Sequence, residues 1–271
     1  MTDYSLADDL ALALDLADRA DAISFDRFRS LDLVVQTKPD RTPVTDADKA
    51  VERAIRDGLD AARPNDSVLG EEFGSNGESA RQWIIDPIDG TANFLRGVPV
   101  WGTLIALVID GVPTVGVVSS PALQKRWWAS LGAGAWMTEA GPNASTPRRL
   151  QTSKVASLAD ASISYNSLKG WSEAGHLPDL LRLSESVWRT RAYGEMWAYM
   201  MVAEGLVDVA CEYDLQAYDV AALIPIVQEA GGRFTSAAGG DALWAGSALA
   251  TNGLLHTETE HTLKGTLPKL G

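Results

Sequence analysis

The chain of 271 residues holds one cysteine, Cys211, and three histidines, His176, His256 and His261. A single cysteine excludes an internal disulfide framework and suits a reducing cytoplasm, which is the compartment expected. No histidine sits in an HExxH or comparable spacing, which argues against a His-rich zinc site. His256 and His261 read as ordinary members of a C-terminal helix. Positive charge is scarce too: the formal net charge of −13 argues against nucleic-acid binding, which needs clustered Lys and Arg. No apolar run reaches the ~18 residues of a membrane span, so no membrane partner is expected. The opening MTDYSLADDL lacks the basic-then-apolar order of a secretory signal. Without such a signal, the NAS triplet at Asn143 reads as chance rather than a glycosylation acceptor.

What is present is the composition of a globular protein, 46% hydrophobic and 22% charged. Residues 6–28 carry leucine and alanine near helical spacing and predict an amphipathic helix. TKPDRTPVTD (37–46) reads as a polar loop. A second helix follows it, with Thr45 and Asp48 spaced as a capping box and Val51, Ile55 and Leu59 on one face. Strands are predicted at 67–70 and 82–86, then a hairpin over 101–120 turning at Asp110-Gly111, extended by KRWWAS and GAGAWMT. After a loop at 139–149, strands and helices alternate, with Pro225 expected near a first helical turn or a bend. These rhythms predict two half-domains, 1–145 and 146–271. The first is α+β and carries most of the acids singled out below; the second is α/β and carries Asp219. Trp127, Trp128, Trp136, Trp188 and Trp197 lie in apolar patterns and read as core or subunit interface.

Four short stretches put acids at element ends: VTDAD (Asp46, Asp48), LGEEFG (Glu71, Glu72), DPIDGT (Asp86, Asp89) and YDVAA (Asp219). Asp46 and Asp219 stand at predicted helix starts, where capping alone would explain them. Capping explains Asp86 and Asp89 less well. They bracket a turn fixed by Pro87 after a buried strand, and would repel without a counter-ion. Gly90 permits close backbone approach and Thr91 opens a short helix, a natural anion site. Carboxylates beside amides point to a phosphate bridged by an oxygen-liganded ion such as Mg²⁺. A D-x-D-G-T phosphatase would place a nucleophilic Asp two residues before Asp89, where this chain has Pro87.

With VTDAD, LGEE, WIIDPIDGTANF and YDVAA in this order, nearly the whole chain resembles the inositol monophosphatase superfamily. Among its branches the likeness is to the bacterial histidinol-phosphatases, through TKPDRTPVTDAD, RGVPVW, PALQKRWWAS, RAYGE, VAEGLVDVA and ATNGLLH. The resemblance implies an α/β, layered αβαβα sandwich that acts as a Mg²⁺-dependent phosphomonoesterase, with two or three ions and Mn²⁺ able to substitute. Histidinol phosphate is the substrate implied, with inositol 1-phosphate or a sugar phosphate as the alternative, and a non-catalytic metal-binding homologue as a further one. It implies that Glu71, Asp86 and the Ile88 carbonyl hold one ion, and that Asp86, Asp89 and Asp219 hold another. Thr91, hydrogen-bonded to Asp46, would activate water with help from Glu71, and the Gly90 and Thr91 amides would receive the phosphate. Arg191, Glu195 and Glu212 would contact the organic half of a small phosphorylated substrate, and the chain would form a homodimer. Three positions depart from the branch, which commonly has a basic residue where Ala92 stands, Asp where Glu195 stands and Trp where Tyr218 stands.

Overall fold

The computed structural model describes residues 4–39, 42–139 and 146–265. The boundary expected near residue 145, and Asn143, lie outside the described residues. Helix α1 (Leu6–Arg27) starts at a Ser5 capping box and lies beside α2 (Asp46–Ala62), which Thr45 caps in the same way. The expected loop at 37–46 is largely a hairpin of β1 (Val35–Thr37) and β2 (Pro43–Thr45), whose pairing carries the chain straight into α2. Strands β3 (Ser67–Gly70), β4 (Gly74–Asn76) and β5 (Arg81–Asp89) follow, then the short α3 (Thr91–Arg96). The meander continues through β6 (Gly102–Ile109), β7 (Val112–Ser120), β8 (Lys125–Ser130), β9 (Gly134–Glu139) and β10 (Arg148–Arg149).

Among the described residues these strands make an eight-stranded sheet in the order β10-β9-β8-β7-β6-β5-β3-β4. All of its pairings are antiparallel except β3 with β5. That parallel pair aims two strand ends the same way, with Glu71 just past β3 and Asp86 and Asp89 in the last residues of β5.

The second half contains β11 (Ser162–Tyr165), α4 (Leu168–Glu173), α5 (Leu177–Glu185), β12 (Arg189–Arg191) and α6 (Glu195–Ala203). After these come β13 (Val209–Tyr213), α7 (Ala217–Val220), α8 (Leu223–Glu229), β14 (Arg233–Thr235), β15 (Ser247–Thr251) and α9 (His256–Lys264). The helix expected across YDVAALIPIVQEA is therefore two, and Pro225 sits in the first turn of α8, where its missing N–H has no intrahelical acceptor to lose. The second sheet runs β12-β11-β13-β15-β14.

Three apolar contacts stack the layers. Ala13, Leu16 and Ala20 of α1, with Val51 and Ile55 of α2, pack on Trp83, Ile85, Ile105 and Val117 of the large sheet. The opposite face of that sheet meets α6 and α8, whose other side covers Ala210, Ala248 and Ala250 of the small sheet. Trp171, Leu180, Leu183 and Leu263 from α4, α5 and α9 close the outer face. The result is the αβαβα sandwich. Trp127 is fully buried, while Trp188, just before edge strand β12, is 68% exposed.

Candidate active site

Strand β5 answers why two acids three residues apart should meet. Side chains alternate along a strand, so positions i and i+3 normally face opposite ways. Here Asp86 pairs with Leu104 and Asp89 with Gly102, three residues against two, so the strand carries one extra residue. That bulge resets the alternation and puts both carboxylates on one side. Pro87 sits inside it, where a missing N–H costs no ladder bond, and its carbonyl accepts from the Thr103 hydroxyl at 2.8 Å. The expected turn after residue 86 is thus a bulged continuation of the strand.

Asp219 comes from the other half of the molecule, at the start of α7, where one oxygen caps the helix by accepting from Gln216 N at 2.6 Å. Carboxylate oxygens of Asp86, Asp89 and Asp219 all lie within 4.8 Å of one another. Burial pushes the Asp86 carboxyl well above the usual range, and Glu71, Asp89 and Asp219 push it further. Burial, then Glu195 and Asp219, do the same to Asp89. Asp219 is raised to about 7, by burial first, its backbone bond to Gln216 opposing and Glu71 adding to it. Asp86 Oδ1 is buried with no hydrogen-bond partner among the described residues. An unpaired carboxylate oxygen inside a cluster of acids fits a hard divalent cation, since oxygen donors alone surround it.

Glu71 follows β3 and lines the same cavity of about 260 Å³, together with Ile88, Gly90, Thr91, Glu195 and Glu212. Lys38, from the β1–β2 hairpin, reaches Glu71 at 2.6 Å and Glu72 at 2.7 Å. Burial pulls the Lys38 ammonium down, but its two acidic partners outweigh this and hold it charged. Beneath them Glu52, fully buried, accepts from Glu72 N at 2.7 Å, Phe73 N at 3.2 Å and Arg56 at 2.7 Å. A Cβ at Gly70 would stand 2.0 Å from the Glu52 carboxylate, so a larger residue there would displace that carboxylate from these bonds.

The hydroxyl of Thr91 lies 3.0 Å from Asp48 Oδ1 and 3.0 Å from the Ile88 carbonyl. The expected partner, Asp46, is elsewhere: it binds Arg27 at 2.8 Å and accepts from Val34 N at 3.0 Å. The reason is helical geometry. The capping box turns residue 48 inward, buried, while residue 46 faces α1 and is 39% exposed. Burial pushes the Asp48 carboxyl up against the opposing bonds from Thr45 and Thr91.

Gly90 takes φ +84°, and a Cβ there would meet the Val100 carbonyl at 3.0 Å and Glu195 Cγ at 3.2 Å. Glu195 opens α6 with φ +50°, strained for a side chain of its size, and accepts from Asn93 Nδ2 at 3.1 Å. The next residue, Met196, donates its N–H to Asp89 Oδ2 at 2.7 Å. Glu212, at the end of β13, is raised to about 8 by burial, while bonds from Asn166 (2.6 Å) and Tyr199 (3.1 Å) oppose that shift.

Arg191 is not brought to this cavity. It is exposed on edge strand β12 and lines a separate surface hollow with Ser184, Trp188 and Arg189. Asp48, Lys38, Asn166 and Tyr199 are present although sequence reasoning gave none of them a role in the site. The capping-box spacing was a signal for Asp48, and the TKPD stretch held Lys38; Asn166 and Tyr199 lie in no motif.

The inositol monophosphatase family profile matches residues 6–269. The histidinol-phosphatase of Mycobacterium tuberculosis is 57% identical over 252 residues, covering 93% of this chain and 96% of its own. That of Streptomyces coelicolor is 55% identical over 262 residues, covering 95% and 97%. The solved structure of extragenic suppressor protein suhB from Bartonella henselae superposes with a TM-score of 0.85 at 29% identity, covering 95% of this chain and 98% of that one.

Proposed function

The chain belongs to the inositol monophosphatase family, and from that premise we propose that it is a Mg²⁺-dependent phosphomonoesterase that releases phosphate from L-histidinol phosphate. The observation that carries the metal-dependent part is Asp86, a buried carboxylate with an unpaired oxygen at the meeting point of Asp89 and Asp219. Glu71, Asp86 and the Ile88 carbonyl would hold one ion, and Asp86, Asp89 and Asp219 another, with Asp86 shared. A third ion near Glu71 and substitution by Mn²⁺ belong to the same reading. When bound, Mg²⁺ neutralises these acids, makes water more acidic and offsets charge on the phosphoryl oxygens.

The chain's own residues supply the proton path. Thr91 Oγ1 has one proton and two acceptors, Asp48 Oδ1 and the Ile88 carbonyl. Donating to Asp48 leaves the Thr91 oxygen lone pairs open to take a proton from the attacking water. Asp48, its basicity raised by burial, receives the Thr91 proton in turn. Its other oxygen is held by Thr45 N at 2.8 Å, so the base cannot rotate away. The Gly90 and Thr91 amides would receive the phosphate. Glu195 and Glu212 face the organic half, where acids suit the substrate's ammonium group.

Phosphate release from L-histidinol phosphate and inositol 1-phosphate, each with Mg²⁺ and with a chelator, tests this reading. The expected result is Mg²⁺-dependent release, with kcat/KM at least about tenfold higher for histidinol phosphate. Preference for inositol 1-phosphate would overturn the substrate, and no release from any phosphomonoester would overturn the activity. The reading extends to a cytoplasmic homodimer serving histidine biosynthesis; a monomer by light scattering would remove the dimer.

A further inference from the structure

Past Glu212 a side chamber of about 160 Å³ adjoins the acidic cavity. The two spaces share Asn166, Glu212 and Asp214 in their walls, so they lie side by side. The chamber's own wall is Ser167, Gly170, Trp171 and Tyr213. Its chemistry differs from the acidic cavity. The Tyr213 ring is held on two sides: His176 stacks on it at 4.2 Å and 8°, and Trp171 meets it edge-on at 4.9 Å and 80°. His176 is in turn fixed by Asp179 at 2.7 Å. Trp171 is 1% exposed, and its indole N–H is buried without an acceptor among the described residues. Buried donors are normally paired, and this unpartnered one belongs to a side chain of the chamber wall. Gly170 keeps the space free: a Cβ there would find only Ser167 Cβ, at 3.8 Å, apart from its own chain neighbours and helix backbone.

A chamber of this size lies below the roughly 300 Å³ of a complete small-molecule site, so it takes one fragment of a ligand. A rigid aromatic wall with a single spare N–H donor suits a flat ring bearing an acceptor nitrogen, and serves a polyol poorly. We propose that the chamber is the subsite for a planar nitrogen heterocycle on the leaving group, the imidazole when the ester is L-histidinol phosphate. Tyr213 and Trp171 form its walls, the Trp171 N–H donates to a ring nitrogen, and Gly170 provides the room. This rests on the functional reading above, with the ammonium and phosphate remaining in the acidic cavity.

The test compares L-histidinol with 2-amino-1-propanol, which has the same amino-alcohol head and no ring. Calorimetric binding and kcat/KM for the two phosphate esters are measured for the wild type, Gly170→Leu and Trp171→Phe. The wild type is expected to favour the ring-bearing compound at least about tenfold, by both measures. Gly170→Leu, filling the chamber from a helical backbone, should lower that ratio about tenfold. Trp171→Phe, which keeps the wall and removes the donor, should lower it several-fold. Equal affinity of the wild type for both amino alcohols, or ratios unchanged in both variants, would overturn the subsite and leave catalysis standing. Ring-selective binding without any phosphate release would overturn the catalytic reading and leave the subsite standing.

Discussion

Asp48 divides its two carboxylate oxygens between two tasks. Oδ2 closes the capping box of α2 through Thr45, and Oδ1 faces the Thr91 hydroxyl. The same spacing that marks a helix start therefore also fixes a carboxylate beside the Thr91 hydroxyl, and Asp219 likewise combines a helix cap with a place in the acidic cluster at α7. In the sequence Asp46 and Asp48 are equivalent acids two residues apart, and only the helix phase separates them. Phase is set by where the cap falls, and the cap at Thr45 brings Asp48, not Asp46, to the Thr91 hydroxyl. Asp48→Asn is expected to lower kcat about a hundredfold or more. Asp46→Asn, which disturbs only a half-exposed pair with Arg27, should change kcat less than about threefold. Steady-state kinetics of the two purified variants decides; the reverse order would return the water-activating role to Asp46. Arg191 differs again, since nothing local in RTRAYGE reveals that its strand is the edge of the small sheet and that Arg191 stands outside the lining of the acidic cavity.

At the scale of elements, what places the acids is irregularity within regular structure. The bulge in β5 turns Asp86 and Asp89 to one side, and the turn after β3 presents Glu71. The signature DPIDGT pointed to the meeting of these two acids but read as a turn, because a proline between two acids after an apolar run is rarely compatible with an even ladder. The second was legible as LGEE after a strand, but its support was hidden. Glu52 looks like one more acid on an amphipathic helix, yet it is fully buried and holds the backbone of Glu72 and Phe73. Its burial depends on β3 lying against α2, a contact that no local pattern encodes. Glu52→Gln places an amide donor where two backbone N–H groups need an acceptor. It should cost about 1–3 kcal/mol of stability, measured by denaturation in chelator so that bound ions play no part. An unchanged midpoint would show that the turn holds itself.

Over the whole molecule, the site exists because two sheets stack with α6 and α8 between them. Asp86 and Asp89 come from the large sheet, Glu212 from the small one, and Glu195 and Asp219 from helices of the second half. The layers were legible through the order of the motifs, which carried a resemblance across nearly the full chain. The meander and its turn at Asp110-Gly111 were legible from alternation alone. Lys38, Asn166 and Tyr199 were not, because each is recruited by distance in space and by no spacing in sequence.

Convergence of like charges has a thermodynamic signature. Unfolded, Asp219 ionises near the ordinary 3.8; folded, it ionises at about 7. Between those values the folded chain binds more protons than the unfolded one, so this contribution to stability is full below about pH 4 and is lost as pH rises to about 7. Asp86 and Asp89 shift in the same direction. His256, buried and lowered to about 4 by burial, works with the opposite sign, losing stability as pH falls from 6.5 to about 4. Its effect is the same with and without an added ion, so the ion-dependent difference isolates the acids. The decisive measurement is therefore the Mg²⁺-induced rise in melting temperature of the chelator-treated protein, at about pH 5 and about pH 8. A rise that is several-fold larger at the higher pH, and abolished by Asp86→Asn, is predicted. A melting temperature indifferent to Mg²⁺ at both values would contradict the claim that these acids are gathered to hold a divalent cation.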